Sequence, residues 1–220
     1  MKKLITSLMA VGFIAGCGPT ANAVVDHTNK DLQSVVYLVD KDHGTYCSGF
    51  LTPDHKVITA AHCIMSPTDE VVVKFHDGQK VQYHVQKLGD ADNQPDIAQL
   101  MTSSNAKFPD GIPLCTFKPY YKEALTLYGA PLKVEDTVSM LRVSNPVVTL
   151  GDDVAPLIQF EGNLMPGNSG GPAVDDNKGC VIGIADEIKV EVPQLAAFGL
   201  GFGLNYLAPI SDLGLLHGPY

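Results

Sequence analysis

A serine, a histidine and an aspartate stand in this sequence in surroundings that suit acyl transfer. Ser169 lies in MPGNSGGPAV, among three glycines and two prolines. A serine hydroxyl is a weak nucleophile at neutral pH and needs a base within hydrogen-bonding reach. His62 stands next to last in the stretch FLTPDHKVITAAHC, just before Cys63, and imidazole can take a proton near neutrality and return it to a leaving group. Asp96 opens the apolar run DIAQL. A carboxylate there would accept from the other ring nitrogen, fix the tautomer and stabilise the imidazolium. Backbone N–H groups of Gly167 and Ser169 can converge on a developing oxyanion, an effect of about 3–4 kcal/mol per donor in a comparable hydrolase. Gly170 and Gly171 would let a substrate approach the backbone closely.

Each residue also has a structural reading. Glycine and proline mark turns everywhere, so the serine loop by itself reads equally as an ST-type turn. His27, His43, His55, His76, His84 and His217 sit beside polar or turn residues and read as surface side chains. His62 differs, because apolar residues precede it and Cys63 follows. Asp90 and Asp92 compete with Asp96, but they lie in a polar turn while Asp96 begins an apolar strand.

The elements that must position these residues are short β-like runs broken by turns. Strands are expected at residues 35–39, 46–51, 56–60, 70–75, 80–88 and 97–101, with turns at 52–55 and 76–79. A Pro-rich connector covers residues 108–119. A second set follows at 124–128, 137–143, 157–161, 173–174, 180–185 and 200–204. Many short strands with regular turn signals point to all-β barrels or sandwiches. Residues 208–216 read as a short C-terminal helix with Pro209 in its first turn, where proline is tolerated.

Charge and cysteines narrow the setting. The net charge is −9 and no basic cluster follows Lys2 and Lys3, which argues against nucleic acid as a partner. Residues 1–23 read as an export leader, with a basic start and an apolar stretch at 4–14 that is short for a membrane span. Two processing patterns compete. Ile14-Ala15-Gly16-Cys17 resembles a bacterial lipobox, in which Cys17 would be lipidated and tether the chain to a membrane. Ala21-Asn22-Ala23 fits ordinary signal cleavage. Setting Cys17 aside leaves Cys47, Cys63, Cys115 and Cys180, an even number consistent with two disulfides in an exported chain. Cys47 and Cys63 lie across the first two turn-flanking strands, so a bridge would pin the loop carrying His62. The loop it closes has a chain-entropy value of roughly 3 kcal/mol. Cys115 and Cys180 read as a second bridge or as two buried thiols. The absence of a CxxC pair and of a His-rich cluster argues against a metal site, and no cofactor is implied.

TAAHC, DIAQL and GNSGGP, in that order, resemble the chymotrypsin/trypsin-like serine peptidases in their compact bacterial form. The resemblance covers nearly the whole chain beyond the leader. It implies two antiparallel six-stranded barrels around a cleft, here residues 24–117 and 118–220. It also implies a hydrolase that cleaves protein or peptide substrates through His62, Asp96 and Ser169. A monomer is expected. Asn168 stands where animal members carry an aspartate that pairs with a new N-terminal amine. Asn168 cannot form that ion pair, so the oxyanion loop is expected to be ordered without a free N-terminus.

By family position, Asn163 lies near the base of the substrate pocket, with walls from Ile184, Ala185 and a strand through Gly201. A neutral or apolar side-chain preference follows. Asp186 and Glu187 either favour basic groups elsewhere on a substrate or face solvent. The competing reading is an inactive, membrane-tethered binding module on the same fold, since fold alone does not guarantee activity.

Overall fold

A computed structural model describes residues 28–39, 46–64, 66, 68, 70–90, 95–150, 155–186 and 205–216. The leader with Cys17, Glu187, Gly201 and the strand expected at 200–204 lie outside the described residues.

The first barrel uses β1 (Val35–Val39), β2 (Tyr46–Leu51), β3 (Val57–Thr59), β4 (Glu70–Phe75), β5 (Lys80–Leu88) and β6 (Ala98–Met101). Period-2 patterning sets their faces. In β5, Val81, Tyr83 and Val85 are buried while Lys80, Gln82 and His84 face water. The strands close in the order β1-β2-β3-β6-β5-β4, every pair antiparallel. Closure removes the open edges that would otherwise template aggregation.

The second barrel uses β7 (Ala124–Gly129), β8 (Thr137–Val148), β9 (Leu157–Glu161), β10 (Pro172–Asp175), β11 (Val181–Ala185) and β12 (Asn205–Pro209). It closes in the order β10-β11-β12-β9-β8-β7. The all-β, double-barrel architecture expected from the sequence is the one observed.

Among the described residues, two apolar clusters form the core. One lies inside the second barrel, around Leu125, Leu127, Ile158, Phe160 and Leu207. The other fills the first barrel around Tyr37, Phe50, Ile58 and Leu100, and continues into Tyr128, Ala130, Val174, Val181, Ile184 and Ala208 of the second. That shared core holds the barrels face to face. A seven-residue helix, α1 (Thr28–Ser34), leads into β1. Its Asp31 accepts a hydrogen bond from Tyr128 Oη at 3.2 Å, a further tie between the barrels.

The C-terminal helix differs from expectation. Ala208 and Pro209 end β12, and a 3-10 helix covers Ile210–Leu215. Proline at residue 209 donates no backbone hydrogen bond, so it suits a strand end as well as a helix start. Strand β8 also runs five residues past its expected end, through Pro146. The pairing of β8 with β9 shifts register between Asn145 and Val148, and a bulge is where a strand tolerates proline.

The connector is held from both sides. Cys115 N–H donates to the Val181 carbonyl at 2.9 Å, and Val181 N–H donates to the Pro113 carbonyl at 2.8 Å. Cys115 and Cys180 form a disulfide with Cα atoms 5.1 Å apart. The cross-linked loop spans 65 residues, which the chain-entropy model values at about 4 kcal/mol.

Where the connector enters β7, Glu123 and Asp175 are buried together, each 1% exposed. Asp175 Oδ1 accepts from the N–H groups of Asn177 and Lys178, so its charge is compensated by the turn. Burial, reinforced by the Asp175 carboxylate, pushes the Glu123 carboxyl up to about 7. The folded state therefore binds a proton that the unfolded chain releases near its ordinary value of 4.5. Stability from this group is full below that value and is lost as pH rises toward 7. Urea midpoints measured at pH 5 and pH 8 should show this fall, and Glu123→Gln should flatten it. An unchanged slope in the variant would assign the pH dependence elsewhere.

Candidate active site

Strand pairing brings His62 and Asp96 together. Thr59 at the end of β3 is paired with Ala98 at the start of β6. In an antiparallel pair, the chain leaving β3 runs beside the chain entering β6. His62 lies just beyond the first point and Asp96 just before the second. His62 sits in the 3-10 turn Ala61–Cys63. A disulfide between Cys63 and Cys47 of β2 anchors that turn, with Cα atoms 6.2 Å apart.

Asp96 is 1% exposed, and both of its oxygens hold His62. Oδ1 accepts the His62 backbone N–H at 2.8 Å, and Oδ2 lies 2.5 Å from Nδ1. The ring is thereby oriented, and with Nδ1 carrying the hydrogen, Nε2 is left as an acceptor. Burial works against the Asp96 charge. The His62 hydrogen bond, the His62 charge and a hydrogen bond with Asp186 outweigh it and keep the carboxyl below its ordinary range.

Ser169 lies on the turn between β9 and β10. The backbone there is pinned by the neighbouring barrel. The Ser169 carbonyl accepts Ser48 N–H of β2 at 2.9 Å, and Cys63 Sγ lies 4.0 Å from the same carbonyl. The turn thus abuts the residue that follows His62. Asn168 N–H donates to Met165, Gly171 N–H to Asn168, and Gly170 N–H to Ala185. Gly167 and Gly170 adopt φ of 99° and 80°, in the region that favours glycine.

The loop that carries Ser169 has supports that the sequence did not reveal. Ser48 is fully buried; its Oγ donates to the Gly167 carbonyl at 2.7 Å and accepts Ala130 N–H at 3.0 Å. Leu132 N–H donates to the Pro166 carbonyl at 2.7 Å. Asn168 is 3% exposed, and a Cβ placed on Gly129 would meet its Oδ1 at 2.8 Å. The segment 130–136 carries positive φ at Leu132, Lys133 and Asp136, and the first barrel holds it in that shape. Lys74 pairs with Glu135 at 2.7 Å, Tyr46 Oη donates to Glu135, and Tyr37 Oη donates to Asp136 at 2.8 Å. In sequence, Ser48 falls within the strand expected at 46–51, and residues 130–136 lie between two expected strands.

Among the described residues assigned to the substrate pocket, exposure differs. Asn163 is exposed on the approach to Ser169. Ile184 and Ala185 are fully buried on β11, Ile184 in the shared core and Ala185 in that of the second barrel. Ala185 carries the backbone contacts to Gly170 and Gly171. Asp186 follows neither expectation, since it is 4% exposed. It offers an oxygen within a cluster of His62 and Asp96 ligand atoms that lie within 4.8 Å of one another. A second grouping, Cys47, His62 and Cys63, has its two sulfurs committed to the disulfide and offers no thiolate.

This geometry agrees with the comparisons to known proteins. A trypsin-like peptidase domain model matches residues 47–184. The chain is 32% identical over 177 residues to Protease Do-like 2, chloroplastic, of Arabidopsis thaliana, covering 76% of this chain and 28% of that protein. It is 30% identical over 169 residues to a probable periplasmic serine endoprotease DegP-like of Halomonas elongata, covering 74% and 32%. The chain spans about a third or less of the length of these relatives. The fold is shared with the serine endoprotease from Yersinia pestis, with TM-score 0.65, 19% identity, and 86% and 64% of the two chains covered. It is shared also with Rv3671c from M. tuberculosis H37Rv in an inactive form, with TM-score 0.62, 18% identity, and 93% and 94% covered. The chain belongs to the trypsin-like peptidase domain family.

Proposed function

We propose that this chain is an exported serine endopeptidase that works through His62, Asp96 and Ser169. The observation that carries the reading is the buried Asp96 carboxylate holding both the ring and the backbone of His62, beside the pinned turn of Ser169. Ser169 Oγ attacks the peptide carbonyl carbon while His62 Nε2 takes its proton. The N–H groups of Gly167 and Ser169 hold the resulting oxyanion. His62 then gives the proton to the leaving nitrogen, the C–N bond breaks, and an ester on Ser169 remains. Water attacks that ester, His62 takes the water's proton and returns it to Oγ, and the acid departs.

The neutral, exposed Asn163 supports a preference for neutral or apolar side chains over Arg or Lys. Export is supported by the two disulfides, which persist in oxidising compartments, and by the leader pattern of residues 1–23. Lipidation of Cys17 would make the enzyme a membrane-tethered one.

The test is intact-protein mass after incubation with a fluorophosphonate, followed by mapping of the adduct. One adduct on the peptide containing Ser169 is expected. A folded chain that takes no adduct would transfer the fold to the binding-module reading.

A further inference from the structure

Two carboxyl groups, not one, stand behind His62. Asp96 and Asp186 are 1% and 4% exposed. One oxygen of each lies within 4.8 Å of the other and of a His62 ring nitrogen. Two carboxylates cannot share a hydrogen bond, because neither has a donor. Like charges this close and this buried cannot both ionise readily, which favours one proton held by the pair.

Asp96 is the member whose two oxygens already accept from His62, so its ionised form is the one favoured. Asp186 has its backbone fixed by the N–H donated to the Tyr206 carbonyl of β12 at 3.2 Å. Among the described residues, the titratable side chains facing it are His62 from the 3-10 turn and Asp96 from the chain entering β6. From β12 it meets that Tyr206 carbonyl.

We propose that Asp186 is a positioning residue of the triad: in the reactive form it keeps its proton and donates a hydrogen bond to the Asp96 carboxylate, which in turn orients His62. The inference rests on the catalytic reading above. Loss of that proton removes the donor and sets a second negative charge against the ring. The second charge favours imidazolium, which cannot act as the base. The site would thus lose reactivity on its alkaline side through a carboxyl group. Paired carboxyls titrate as a unit, so the readout belongs to the pair.

Two measurements test this on the full mature chain. The first is carbon-13 NMR of labelled aspartate carboxyls from pH 3 to 10, with Asp186→Asn to assign the pair. One carboxyl of the pair should keep its proton beyond the ordinary carboxylate range. If both ionise in the ordinary range, the proposal is overturned. The second is the pH profile of fluorophosphonate reaction. The parent should decline on the alkaline side. Asp186→Asn, whose amide donates at every pH, should hold a plateau there. Asp186→Ala should react roughly five- to tenfold more slowly across the range, as expected for one lost hydrogen bond. Superimposable profiles for parent and Asp186→Asn would overturn the positioning role. A parent that retains the shared proton yet reacts at no pH would instead sink the catalytic reading and, with it, the role assigned to Asp186.

Discussion

Replacing His62 with Ala is expected to slow hydrolysis of an unfolded protein substrate by roughly ten thousandfold or more, as removal of a base does in comparable triads. The loss should fall on kcat, because the ring acts on the proton of Ser169 and not on the bound peptide. His62→Ala, Ser169→Ala and the double variant should retain similar residual rates, since groups that act as a unit are not additive. The fold should survive. The His62 side chain is 29% exposed, and its backbone N–H to Asp96 persists in the variant. Asp96 would lose its ring partner, so a modest fall in Tm is expected. A variant that keeps a tenth or more of the parent rate would remove His62 from the mechanism.

The second large effect is expected at Gly167. Its φ is 99°, and an added Cβ would lie 2.2 Å from the Ala130 carbonyl oxygen. Neither atom can yield cheaply, because both are tied to the same supports. Ser48 Oγ bonds the Gly167 carbonyl and accepts Ala130 N–H, and Leu132 N–H bonds the Pro166 carbonyl. Gly167→Ala should therefore displace the peptide whose N–H is proposed above as one oxyanion donor. A loss of about a hundred- to a thousandfold in kcat follows from the worth of such a donor. The left-handed backbone adds roughly 1–2 kcal/mol of destabilisation. Gly78→Ala is the control. It shares the positive φ, at 84°, but has nothing within 4 Å of the added Cβ, so it should cost stability without touching kcat. Equal losses of activity in the two variants would mean that backbone strain, not the crowding at Ala130, explains the effect.

What was legible in the sequence follows the range of the forces involved. Alternating burial in β5, and the turns at 52–55 and 76–79, are local and were readable. The double barrel followed from the resemblance that the three motifs carry. Helix α1 was not expected, since seven residues with no apolar stripe give no periodic signal. Strand β8 was expected to stop at Val143, because Asn145-Pro146 looks like a terminator when the bulge that tolerates it is unseen. Asp186 was read as a charge at a strand end facing solvent or substrate. Only the pairing of β11 with β12 and the approach of the His62 turn put it beside Asp96. Ser48 was missed for the same reason: its partners are 82 and 119 residues away, and such contacts leave no trace in spacing.

The two disulfides divide between the halves of the molecule. Cys47–Cys63 lies wholly within the first barrel, and Cys115–Cys180 ties the connector to the second. Among the described residues, no covalent bond other than the main chain itself crosses from one to the other. A single cut in the largely exposed stretch at residues 103–110 would therefore yield two separate polypeptides. One would carry His62 and Asp96, the other Ser169, and each would keep its own staple. The apolar core they share is the force that would reunite them. On the catalytic reading proposed above, the molecule would then work as a split reporter, its serine reactive only once the two fragments find each other.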